Sequence, residues 1–272
     1  MQLAIDWLED APAPPPSPAP PARVSGELPP AVEAAVWRGD SLGQAATAVT
    51  SSGWEALDAE LPGGGWPLRS VTEVLAAQPA VLEWRLLGPA LRRAVASGGQ
   101  VVVVGPPREP YLPGLLHEGL DERQLVWVQA DAPAERLWVT EQLIRSNAAG
   151  AVVSWLPQAR QEQLRRLQVS AQACEGLVFL CRPEASRHEA SAAPLRVHAS
   201  VGLDWELHVN VFKRRGPALD RPLVLPSIPG GLASVLTPRL RMPSRLIASR
   251  EAANVVGSPS VTARPRQHTT VQ

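Results

Sequence analysis

The sequence is poor in the residue types that most often carry chemistry. Its 272 residues include one lysine, one tyrosine and two cysteines. Cys174 and Cys181 are too few for a disulfide framework or a cysteine-based metal site, and they fit a reducing compartment. No window approaches the apolar length of a membrane-spanning helix, and the first residues lack the basic and apolar regions of a secretory signal. We therefore expect a cytoplasmic protein with no membrane contact.

Proline and charge divide the chain into parts. The 29 prolines cluster toward the two ends, and residues 217–272 hold seven arginines against two acidic residues although the formal net charge is zero. We predict a disordered proline-rich segment with one short helix at 1–47, a core domain at 48–216 and a largely disordered basic tail at 217–272. The tail is either a contact for nucleic acid or an acidic partner, or a solvated extension.

Short apolar runs alternate with helical patterns through the core domain. The runs predict buried strands at 71–75, 101–104, 125–128, 150–155 and 177–181. Apolar residues at helical spacing predict intervening helices at 82–96, from about 133 to 147, and around 164–174. Strands that alternate with helices indicate an α/β fold with a doubly wound, mostly parallel sheet.

Two finer predictions concern the second of these helices and the sheet edge. Asp131 is expected to cap the helix that has Pro133 in its first turn. Its buried side should include Leu137, Trp138 and Ile144. Two alternating runs, 195–199 and 205–212, predict an antiparallel pair of edge strands.

The stretch from Ser52 to Leu75 reads as a turn, a short helix, a glycine corner and a buried strand. Gly63, Gly64 and Gly65 allow the backbone to bend sharply there. The corner resembles that of the RecA family, in which the next strand leads into a phosphate-binding loop, G-x-x-x-x-G-K-[ST], whose backbone N–H groups and lysine hold phosphates.

That loop is degenerate in this chain. Ala76 and Val81 stand where the glycines belong, Leu82 where the lysine belongs and Glu83 where the hydroxyl belongs. The one lysine of the chain, Lys213, is far away in sequence, and the Glu83 carboxylate would repel phosphate. The sequence therefore predicts no bound nucleotide, no cofactor, no metal and no catalytic residues.

The same motifs, in order, resemble the RecA family from about residue 50 to 216. The resemblance is carried by the corner SGWEALDAELPGGGWP at 52–67, by PLRVHASVGLD at 194–204 and by VFKRR at 211–215. It implies a RecA-like core. The positions of the family's catalytic glutamate and Mg²⁺-positioning aspartate are here Pro107 and Ser154. The resemblance therefore implies a fold that has lost its ATPase activity.

The resemblance also suggests where nucleic acid or a partner would bind. The loops that contact DNA in RecA correspond to Leu156–Gln161 and Arg182–Ala193, and a further basic group ends the strand near residue 213. Solvated strand ends are the alternative interpretation. The candidate residues for DNA or partner binding are Arg160, Arg182, Arg187, Lys213, Arg214 and Arg215. Such contacts would be non-sequence-specific and salt-sensitive.

Within this superfamily the chain is most similar to the ImuA family of bacterial mutagenesis cassettes. The motifs that carry this similarity are WRGD at 37–40, LPGGGWP at 61–67, GPP-x-x-P-Y at 105–111 and FKRRG at 212–216. The similarity implies a role in SOS-induced translesion DNA synthesis. The implied partners are an ImuB-like Y-family polymerase homologue and an error-prone DNA polymerase III alpha-type subunit, with RecA as a further contact.

Two other functions stay open at this point. A cell-division inhibitor of the SulA type would also be an ATPase-less member of this superfamily, although such proteins are shorter. A true ATPase with an unrecognised site is the third possibility, and protection from thermal unfolding by ATP would identify it.

Overall fold

A computed structural model describes most of the core domain and part of the segment after it. The described residues are 48–217, 219, 221–229 and 232–254. The proline-rich segment predicted at 1–47 and the last part of the predicted tail lie outside the described residues.

Ten strands occur in the described residues. They are β1 Val49–Thr50, β2 Trp66–Pro67, β3 Val71–Ala76, β4 Val101–Val104, β5 Leu125–Val128, β6 Ala151–Trp155, β7 Leu177–Pro183, β8 Leu195–Val201, β9 Leu207–Lys213 and β10 Leu223–Leu225. β1 and β2 form a small antiparallel pair. The other eight form one sheet in the order β10-β9-β8-β3-β7-β6-β4-β5. β3 to β8 pair in parallel, and β9 and β10 add antiparallel strands at one edge.

The α-helices of the described residues connect these strands. They are α1 Glu55–Asp58, α2 Leu82–Ala96, α3 Leu112–His117, α4 Pro133–Ser146, α5 Gln161–Ala171, α6 Leu232–Val235 and α7 Pro243–Asn254. The alternation confirms the predicted α/β fold with a mostly parallel sheet. Several predicted bounds, including 82–96, 101–104 and 125–128, coincide with the observed elements.

The sheet separates buried apolar side chains into two layers because successive residues of a strand point to opposite faces. One layer packs α2 against the strands and includes Val74, Val103 and Phe179. On the other face, α4 and α5 cover residues such as Val71 and Leu180. Runs such as β4 are therefore buried on both faces, which explains their uninterrupted valines.

The start and the buried side of α4 differ from the prediction. Ala132, not Asp131, is the N-cap residue, and no side chain caps this helix end. Trp138 is 62% exposed, because the buried side is set by Leu137, Thr140, Glu141 and Ile144. At 3.6 residues per turn, Trp138 lies about 100° around the helix from Leu137 and faces solvent.

The sheet continues beyond residue 216, where the sequence predicts the start of a tail. β10 pairs with β9, and its Leu225 is fully buried in the layer beneath α2. Farther on, the carboxylate of Asp204 accepts hydrogen bonds from the backbone N–H and the hydroxyl of Ser244, at 2.9 and 2.6 Å, and so holds the first turn of α7. The predicted boundary at 216 is therefore too early.

The sequence predicts that no helix is long and apolar enough to span a membrane. In the described ranges, every helix is too short or too polar to cross a bilayer.

Candidate functional site

The candidate site is the loop between β3 and α2, at the carboxyl end of the central strand. Ligands of open α/β sheets bind outside the carboxyl ends of the strands, so this is where a phosphate loop would act. Ala76 and Leu82 are fully buried in the apolar layer beneath α2, whereas Val81 is exposed. The side chain in the lysine position thus contributes packing and no positive charge.

Glu83 is the unusual residue of this site. Its side chain is almost completely buried, and its Oε1 accepts a 3.0 Å hydrogen bond from the indole N–H of Trp155, at the end of β6. Its Oε2 has no hydrogen-bonding partner among the described residues. Burial raises the pKa of Glu83, although the backbone N–H groups of Glu83, Ala80 and Val81 and the Trp155 indole counteract that effect.

The Glu83 carboxylate therefore lies beside the backbone donors at the N-terminus of α2. Such donors and the helix dipole attract anions, and an anion already present in the protein neutralises that attraction. A second anion brought to the same place would be repelled by the carboxylate in a site of low dielectric. The Glu83 carboxylate would therefore disfavour an anionic ligand at this helix end.

The neighbouring strand ends are also filled by protein side chains. The ring of Trp155 packs on Trp84 with 5.7 Å between ring centroids. Ser154 is fully buried, and its hydroxyl shares a 2.6 Å hydrogen bond with that of Thr140 on α4. Ser154 is thus satisfied internally. Within the described ranges, no three His, Cys, Asp or Glu side chains are grouped to hold a metal ion.

Arg182 does not face solvent as the prediction of a DNA or partner contact requires. It is 2% exposed, and its guanidinium donates to Glu73 Oε1 at 2.9 Å, to Glu189 Oε2 at 2.6 Å and to the carbonyl of Ala159 at 2.9 Å. A buried arginine needs such partners because an unpaired charge would be costly to desolvate. This residue holds the two loops that follow β6 and β7.

The partner of Arg182 is a buried carboxylate that the sequence interpretation missed. Glu73 lies in the middle of β3 and also accepts from Arg196 of β8. Arg196 in turn donates to the carbonyls of Ser186, Arg187 and Glu189, at 2.8, 3.3 and 3.1 Å. The sequence does contain a signal for this buried carboxylate, since a single acidic residue interrupts the apolar strand Val71–Ala76.

Arg187 and Lys213 lie near this network but are only partly available to a partner. The guanidinium of Arg187 lies over the ring of Phe212 at 5.4 Å, and that of Arg196 lies over the same ring at 4.8 Å. The ammonium of Lys213 donates to the carbonyl of Ser191 at 2.7 Å. Burial and the positive charge of Arg196 lower the pKa of Lys213.

The other basic candidates lie at opposite ends of the strands of the sheet. Arg160 is exposed just before α5, near the carboxyl ends of the parallel strands. Arg214 donates to the carboxylate of Glu60 at 3.0 Å, which ties it to α1 and the glycine corner. Arg215 is exposed near the amino ends of the parallel strands and lines a depression with Arg69. The structure does not bring the six candidates together in one surface.

The glycine corner has the geometry that its sequence predicts. Gly63 and Gly64 adopt φ of 83° and 85°, a region that side chains disfavour. A Cβ on Gly65 would lie 2.4 Å from the carbonyl oxygen of Thr50. The glycines thus let β2 return beside β1 and lead into β3.

No protein-family model matches the chain. It is 31% identical over 175 residues to Protein ImuA of Caulobacter vibrioides, in each of two strains. The match spans 59% of this chain and 68% of the relative. At this identity and coverage, the chain belongs to the ImuA family.

Proposed function

We propose that this protein is a non-catalytic accessory protein of SOS-induced translesion DNA synthesis, built on a RecA-like fold that no longer uses nucleotide. It works with an ImuB-like Y-family polymerase homologue and an error-prone DNA polymerase III alpha-type subunit, and it contacts RecA. The proposal places it in the cytoplasm. Family membership supports the link to damage-induced mutagenesis.

The observation that carries the non-catalytic part is the buried carboxylate of Glu83. It lies at the start of α2, where a nucleotide-binding protein would leave room and backbone donors for phosphate. Leu82 supplies no cation there, and Ser154 supplies no carboxylate for a magnesium ion. We infer a degenerate phosphate loop and an inactive descendant of a RecA-like ATPase.

Direct DNA binding is a secondary part of the proposal. With Arg182 buried, it depends on Arg160, Arg187, Lys213 and Arg215. Because these charges are dispersed, we expect weak, non-sequence-specific binding that decreases steeply with salt.

The test is affinity purification of the full-length protein from cells exposed to a DNA-damaging agent, with partners identified by mass spectrometry. The full chain is needed because a cut at 216 would remove β10 from the sheet. We expect recovery of the polymerase homologue and the alpha-type subunit. Recovery of the tubulin-like division protein without them would instead indicate a cell-division inhibitor.

A further inference from the structure

A groove of about 860 Å³ lies beside the candidate site and has no role in the function proposed above. The first turn of α2 forms one side with Val81 and Trp84. The turn before α3 forms another with Tyr111. The third side is α6, with Leu232 and Val235. Its size is within the range of ligand-binding clefts.

The lining is unusually apolar for a surface open to water. Tyr111 is 74% exposed and Val235 is 70% exposed, and Val81 and Leu232 are also exposed. Four exposed apolar side chains that converge on one groove form the kind of patch that marks an interaction site in soluble proteins.

Hydrogen bonds hold the walls of the groove in place. Arg85 of α2 donates to the carbonyls of Trp205 and Ser227, and its Nε donates to the Ser227 hydroxyl at 3.2 Å. The indole of Trp205 donates to the carbonyl of Leu240 at 2.9 Å. The groove is therefore preorganised, which lowers the entropy cost of binding.

The chain segment that includes α6 is basic, which favours an acidic occupant. Residues 221–250 contain five arginines and no acidic residue. One of these arginines, Arg241, donates to the carbonyls of Ala233 and Leu236 at the end of α6, so its positive charge lies at the rim. Of the acidic lining residues, Glu118 attracts the half-buried Arg85, and Glu109 is adjacent in sequence to Arg108.

We propose that this groove docks an acidic segment of a partner protein that carries apolar or aromatic anchor residues. The apolar lining supplies affinity by burying the anchors, and the positive charges of Arg108 in the lining and Arg241 at the end of α6 select acidic flanks. The exposed aliphatic side chains of Val81, Leu232 and Val235 favour a peptide with apolar anchors, because nucleic acid offers little aliphatic surface to bury against them. This inference is independent of the role in translesion synthesis.

The test uses the full-length protein and a phage-displayed library of random dodecapeptides. Peptides that bind are synthesised, and their dissociation constants are measured by fluorescence polarisation. We expect enrichment of peptides that combine Asp or Glu with Trp, Phe or Leu. Tyr111→Ala and Val235→Asn should each weaken binding by about tenfold or more. Arg108→Gln and added salt should weaken it by a smaller factor, since Arg108 lines the groove.

The matched control is Val169→Asn, since Val169 is similarly exposed but lies on the outer side of α5. It should leave peptide affinity unchanged. The inference is overturned if the library yields only basic peptides, or if selected peptides bind the groove variants as tightly as the wild type. It is also overturned if a single-stranded oligothymidylate, and no peptide, loses affinity in the groove variants.

Discussion

Glu73 and Glu83 are buried carboxylates ten positions apart, but only Glu73 is paired with positively charged side chains. Glu73 lies in the middle of β3 and is bound by Arg182 and Arg196 from the two adjacent strands. Glu83 lies one loop later, on α2, and receives one side-chain hydrogen bond, from Trp155. Its Oε2 has no partner among the described residues.

The comparison separates a fully paired buried charge from an incompletely paired one. Paired charges such as those around Glu73 fix loops in place, and removing one partner leaves the others buried and unpaired. The incomplete compensation of Glu83 raises its pKa, so the charged form costs stability. A buried carboxylate that is costly to the fold is consistent with the proposal that Glu83 keeps phosphate out of this loop.

The largest expected effect comes from Glu73→Gln. The variant leaves the buried guanidinium of Arg196 without a carboxylate and leaves Arg182 only the partly exposed carboxylate of Glu189, so it should lower the free energy of unfolding by about 3–5 kcal/mol. Urea denaturation at neutral pH measures this. A loss below about 1 kcal/mol would mean that the arginines find other partners and that the pairing is not structural.

Trp155→Phe should have the next largest effect. It removes the indole N–H that Glu83 accepts, which should cost about 1–3 kcal/mol at neutral pH. The cost should be smaller at acid pH, where Glu83 is neutral and its hydrogen bond is weaker. Trp54→Phe is the matched control, since the Trp54 indole donates to the neutral carbonyl of Leu86 at 3.0 Å. Its cost should not change between the two pH values.

Glu83→Gln should increase the stability of the folded protein, and the increase should depend on pH. The pKa of Glu83 in the folded protein is above its usual value of 4.5, so the folded state holds the proton more tightly. Wild-type stability therefore falls as pH rises from 4.5 through the raised pKa, by about 1.4 kcal/mol per unit of upward shift. The variant should match the wild type at acid pH and exceed it at neutral pH. Unfolding midpoints between acid and neutral pH measure this, and a variant that is less stable at neutral pH would contradict the comparison.

The smallest effect is expected for Glu175→Gln. Glu175 pairs with Arg69 at 3.3 Å, but both side chains are largely exposed. Solvent and salt screen such pairs, so the change in the free energy of unfolding should be about 0–1 kcal/mol. A loss comparable to that of Glu73→Gln would mean that burial does not determine how much an ion pair contributes to the stability of this protein.

The sequence predicted the elements well where patterns are local. The α2 bounds and the valine run of β4 follow from helical spacing and from an uninterrupted apolar run. The degenerate phosphate loop stays a prediction, which rests on the absence of the required glycines, lysine and hydroxyl residue from positions 76–83. Trp138 was misplaced because local spacing alone does not determine which side of α4 faces α5.

Contacts between residues that are distant in sequence could not be predicted from local patterns. Arg182 looks like a loop cation in sequence, and only the pairing of β3 with β7 shows that Glu73 lies within reach. β10 was missed because three residues between prolines carry little periodic signal, and its place is set by pairing with β9. The contact between Glu83 and Trp155 joins residues 72 positions apart.

The most direct test of the central claim is the thermal unfolding of the full-length protein with and without ATP and Mg²⁺. A ligand that binds only the folded state must raise the unfolding midpoint. If the Glu83 carboxylate occupies the anion position, the midpoint should not change at saturating nucleotide. A raised midpoint that is accompanied by ATP hydrolysis in the presence of single-stranded DNA would contradict the account.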